Sequence, residues 1–121
     1  MKLKEKRESL KKELEKSCEI VKGYFKEQLE NYHFTISDER ELLNKGSIDI
    51  VMIFSNVVCE NDEVSNAYKR ICELVPEKEL QSTIEDMWLE VAIEIFEDCS
   101  ITVSSQNDSN WVVRLDIDVE D

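Results

Sequence analysis

The sequence predicts an α+β fold, one antiparallel sheet of about four strands covered by helices in the order α-β-β-α-α-β-β. Three observations carry this expectation. Apolar stripes of 3.6-residue period run through the first 32 residues and through about Glu77–Asp98. A two-residue alternation runs unbroken from Trp111 to Val119. Only two glycines and one proline punctuate 121 residues. A chain of this length is one domain's worth, residues 1–121, and can bury a core without disulfides or a metal.

In the long N-terminal helix Leu3, Leu10, Leu14, Cys18, Val21, Phe25 and Leu29 form the stripe. Glu8 with Lys12 is a helix-spaced opposite pair. Arg7, Ser17 and Gln28 spoil a heptad seam, so this helix packs on its own domain rather than in a coiled coil. His33 to Ser37 alternates in the manner of a strand, and Asp38 to Glu41 reads as a polar connector leading to an Asn44-Lys45-Gly46 turn. Ile48 to Phe54 is rich in β-branched residues and apolar on both faces in its second half, which predicts a central strand that could pair with the Phe34 segment.

Asn61 or Asp62 caps a helix to about Leu74, with Val64, Ala67 or Tyr68, Ile71 and Leu74 as its stripe. Pro76 suits the start of the next helix. There Leu80, Ile84, Trp88, Val91 and Ile95 align, and Met87, Leu89, Ile93 and Phe96 widen the stripe toward burial on more than one side. Ile101 and Val103, a polar Gln106–Asn110 loop, and Trp111 to Val119 then make a hairpin. Trp111, Val113, Leu115, Ile117 and Val119 take its inner face; Val112, Arg114, Asp116, Asp118 and Glu120 take the outer. The predicted core is Leu14, Val21, Phe25, Ile50, Met52, Ile84, Trp88, Val91, Ile95, Leu115 and Ile117.

Charge is the informative signal. The net formal charge is −13, yet residues 1–30 carry nine Lys/Arg against seven Asp/Glu. From Glu77 onward 13 acids face only Lys78 and Arg114. Such a field repels nucleic acid and membrane phosphate and attracts basic proteins, and solubility alone does not require the asymmetry.

Several chemistries have no support. The longest apolar run, Ile50 to Phe54, is far short of the roughly 20 residues that span a bilayer. The Met-Lys-Leu-Lys-Glu-Lys-Arg start has no apolar stretch behind it, which predicts a cytoplasmic protein. Cys18, Cys59, Cys72 and Cys99 form no Cys-x-x-Cys pair, and His33 is the only histidine, so neither a zinc site nor a Cys-His nucleophile is expected. Those cysteines lie in or beside apolar stripes and read as small core hydrophobes. No glycine-rich phosphate loop and no EF-hand spacing occurs. The expectation is therefore no enzyme, no cofactor and no metal.

Two acidic arrays are the candidate binding residues. Asp86, Glu90, Glu94 and Glu97 lie four, four and three apart, one ridge of a helix. The first three are spaced about 6 Å along the axis, close to the separation of phosphates along a nucleic-acid strand. On the last strand Asp116, Asp118 and Glu120 share one face. If the two rows adjoin they make one extended negative patch; the alternative is ordinary solvated surface. Trp111 and Tyr68 would be aromatic anchors at its border, against the more usual role of core packing for Trp111.

In size, charge and single-domain form the chain resembles bacterial immunity proteins that neutralise nuclease toxins. It also resembles phage-encoded anti-restriction and anti-CRISPR proteins that mimic nucleic acid. No motif carries either resemblance, so no residue roles transfer. The resemblance implies a small inhibitor that occupies the nucleic-acid-binding or active-site surface of a basic protein, most directly a nuclease toxin. The acidic field implies contact with neither nucleic acid nor membrane. Secretion-type chaperones are similar in size and acidity but typically close with a helix, where this sequence predicts a strand.

Overall fold

The structure, a computed structural model, describes residues 2–55, 61–96, 98–107 and 110–119, residues 106 and 107 by their backbone. Its elements are α1 (Leu3–Glu30), α2 (Ile36–Lys45), β1 (Ser47–Ser55), α3 (Asp62–Leu74), α4 (Glu77–Ile95), β2 (Asp98–Asn107) and β3 (Asn110–Asp118). The described strands form one antiparallel three-stranded sheet in the order β1-β3-β2. The α+β class is as expected; the element order and strand number are not.

The segment His33–Ser37 is no strand. Thr35 caps α2: its hydroxyl accepts from the Asp38 amide at 3.1 Å, and the Asp38 carboxylate accepts from the Thr35 amide at 2.9 Å. This reciprocal box satisfies two backbone donors that a helix start otherwise leaves open. Gly46 closes the helix with φ 71°, a left-handed conformation that only glycine takes without strain, and donates to the Leu42 carbonyl at 3.0 Å. The supposed polar connector is thus a helix, and the sheet has three strands rather than four.

β1 is also not central. It pairs with β3 along its whole length, from Ser47 opposite Asp118 to Ser55 opposite Asn110, with no shift of register. β3 pairs with β2 on its other side, so the central strand is the alternating one and the strand apolar on both faces lies at an edge. Full burial of both faces is therefore not why β1 is apolar.

The helices cover one sheet face. Ile48, Ile50 and Phe54 of β1, Val103 of β2, and Trp111, Val113, Leu115 and Ile117 of β3 are buried beneath them. Val21, Phe25 and Leu29 of α1, Val64, Tyr68 and Ile71 of α3, and Ile84, Trp88 and Val91 of α4 fill the layer between. Phe25 stacks on Trp88 at 4.0 Å between ring centroids and meets Phe54 edge-on at 5.0 Å. Leu14, Met52 and Ile95 of the predicted core are only partly buried. On α4, Ile93 points outward, so the stripe is narrower than its sequence suggests. No described helix is long and apolar enough to cross a membrane.

Candidate functional site

The two acidic rows occupy different layers. Asp86, Glu90 and Glu94 are exposed on α4, and Glu97 lies outside the described residues. Glu90 faces α1, where the Lys22 ammonium donates to it at 2.9 Å while also pairing with Glu19 at 2.9 Å. Lys26 stands 3.6 Å from Glu94. Hydrogen bonds to Glu19 and Glu90 hold the Lys22 ammonium protonated well above the usual lysine range. These pairs line an open groove between α1 and α4, together with Gly23 and Val91. Two lysines of the first helix are thus paired with acids of the fourth. Arg70 of α3 does the same in reverse, donating to Glu13 of α1 at 2.6 Å.

The strand row is different. Asp116 and Asp118 project from the sheet face opposite the helices, and Glu120 lies outside the described residues. Strand pairing builds this face in transverse rows. Ser47, Asp118 and Asp98 make the first, Asp49, Asp116 and Ser100 the second, Val51, Arg114 and Thr102 the third, and Ile53, Val112 and Ser104 the fourth. One end is acidic and the other, toward β1, is apolar. Val51 is 52% exposed and Ile53 64%.

Asp49 was not singled out by its sequence pattern, and with Asp98, across from Asp118, it completes the cluster. It lies directly across from Asp116, 67 positions away in the chain (116 minus 49), so only the β1–β3 pairing reveals it. The legible signal was the alternation Asp49, Val51, Ile53 against Ile48, Ile50, Met52. Partial desolvation, the facing Asp49 and the neighbouring Asp118 push the Asp116 carboxyl above the usual carboxylate range. Among the described residues no ion pair neutralises Asp49, Asp116 or Asp118.

The aromatic residues serve the interior. Trp111 and Tyr68 are buried, and the Trp111 indole donates to the Tyr68 hydroxyl at 2.6 Å, tying β3 to α3. They are not surface anchors. Cys18 and Cys99 are half-buried, Cys72 is exposed, and Cys59 lies outside the described residues. Partial desolvation by neighbouring atoms raises each of the three described thiols above the ordinary range, which disfavours the nucleophilic thiolate. Among the described residues no group of three His, Cys, Asp or Glu is arranged to hold a metal ion.

Comparison of the chain with family models, with curated proteins and with solved structures found no match.

Proposed function

We propose that this protein is an inhibitor that binds a basic protein and blocks its nucleic-acid-binding or active-site surface, a nuclease toxin being the first candidate. One observation supports this most strongly. Asp49, Asp98, Asp116 and Asp118 stand together on the sheet face opposite the described helices, none of them ion-paired among the described residues and with Arg114 the one cation in the described rows, beside exposed Val51 and Ile53. Like charges held side by side cost stability, and a partner's Lys and Arg would relieve that cost on binding. The apolar end supplies area that water would otherwise cover. The α4 row of Asp86, Glu90 and Glu94 has a secondary part, because Lys22 and Lys26 already occupy two of its three described carboxylates.

The test is capture from the host at low and at high salt, with wild-type protein and with Asp116→Lys/Asp118→Lys. The expected result is a basic protein retained at low salt, lost at high salt and lost by the double variant. Retention indifferent to both changes would overturn the reading. The identity of the captured protein separates a nuclease toxin from a restriction or CRISPR effector, which is the anti-defence alternative.

A further inference from the structure

In an antiparallel ladder, residues alternate between pairs that exchange both backbone hydrogen bonds and pairs that exchange none. The Val119 amide donates to the Gly46 carbonyl at 2.8 Å, which sets the phase. Ile48, Ile50, Met52 and Phe54 therefore bond to β3. The amides and carbonyls of Asp49, Val51 and Ile53 point the other way, to the free edge of β1. No described backbone hydrogen bond beyond the ladder reaches these three residues.

The other sheet edge obeys the same phase and is treated differently. On β2 the outward groups include the Val103 carbonyl, and Gln81 of α4 caps it, donating from Nε2 at 2.9 Å. β1 has no such cap. It also lacks the usual protections of an edge strand, a proline, a lysine or a bulge, and runs nine residues in unbroken register. Its single charge is Asp49. The same three residues thus present free backbone groups at the edge and free side chains on the outer face.

We propose that the free edge of β1 is a strand-addition site that receives an extended segment of the basic partner, with a Lys or Arg of that segment set against Asp49. This deepens the function proposed above and rests on it for the partner's charge. Alternate side chains of the added strand would fall over Ile50 and Met52 on the helix side, where apolar residues fit, and over Asp49, Val51 and Ile53 on the outer side. Charge decides between a partner's segment and a second copy of this chain. A second copy brings another −13 to an edge beside a face that holds four described carboxylates and one described cation, Arg114, whereas a cation opposite Asp49 relieves its repulsion with Asp116.

The test uses the full chain, isotope-labelled, and an end-blocked peptide Thr-Val-Thr-Val-Thr-Val-Lys-Val-Lys. Its antiparallel alignment puts lysines against Asp49 and Ser47. A control peptide carries Glu in place of Lys. Amide exchange at Asp49, Val51 and Ile53 should slow at least about tenfold when the lysine peptide is bound. That peptide should bind about tenfold tighter than the control. Val51→Pro removes an outward amide and no ladder bond, and should lose peptide binding; the exchange measurement on wild-type protein stands whether or not this variant folds. Unchanged exchange at the three amides overturns the strand-addition site, while the basic-partner reading still answers separately to Asp116→Lys/Asp118→Lys. Equal binding of both peptides overturns the basic occupant. A peptide-free dimer that Val51→Pro dissociates overturns it in favour of a second copy.

Discussion

Lys22 on α1 donates to Glu90 on α4 at 2.9 Å, across 68 residues of chain. This contact changes the meaning of the α4 acids. By sequence they form a like-charged ridge; in the fold two of them, Glu90 and Glu94, pair with lysines of α1. Glu90→Lys would set a second ammonium against Lys22. Stability should fall by about 0.2–1 kcal/mol, the range for exposed pairs, and the swapped double variant Lys22→Glu/Glu90→Lys should recover much of it. Denaturant midpoints of the two single variants and the double variant give the coupling. A Glu90→Lys protein as stable as wild type would show that the pair contributes nothing.

Trp88 is 1% exposed and stacked on Phe25. Trp88→Ala should cost about 3–5 kcal/mol through lost burial and the cavity left behind. Among the described residues its indole Nε1 has no hydrogen-bond partner, so Trp88→Phe forfeits no bond and should cost much less. Urea unfolding of both variants checks the order.

Burial lifts the Tyr68 phenol to about 12, above the value near 10 of an unfolded chain. The folded state therefore holds this proton more tightly. The corresponding stability is complete below about pH 10 and is lost as pH rises toward the folded value. Tyr68→Phe should flatten that alkaline loss. At neutral pH it should cost about 1–3 kcal/mol, because the buried Trp111 indole loses its acceptor. Thermal melts of both proteins between neutral and strongly alkaline pH test both effects.

Asp116→Asn removes one of two facing carboxylates and should stabilise the protein by about 0.2–1 kcal/mol at neutral pH. The raised carboxyl of Asp116 works with the opposite sign to a salt-bridged one. Its contribution is favourable below the ordinary carboxylate range and disappears as pH rises through the folded value. The advantage of the Asn variant should therefore shrink below about pH 4. A constant difference across that range would show that the two carboxylates do not interact.

Local periodicity by itself determined the helices α1, α3 and α4, the β2–β3 hairpin, and which side of β3 meets the core. Each depends on residues within a few positions of one another, as when Asn61 accepts from the Glu63 and Val64 amides to start α3. α2 was written just as locally, in Thr35, Asp38 and Gly46, but its capping box competes with a five-residue alternation that looks like a strand. What only the tertiary structure decided is long-range. β3 rather than β1 lies at the centre, because the hairpin places β2 on one side of β3 and leaves the other side for β1. That pairing sets Asp49 against Asp116, and the packing of α1 on α4 brings Lys22 and Lys26 to Glu90 and Glu94. A carboxylate's charge is fixed by its residue type, but whether that charge stays open to a partner depends on which distant segment packs beside it.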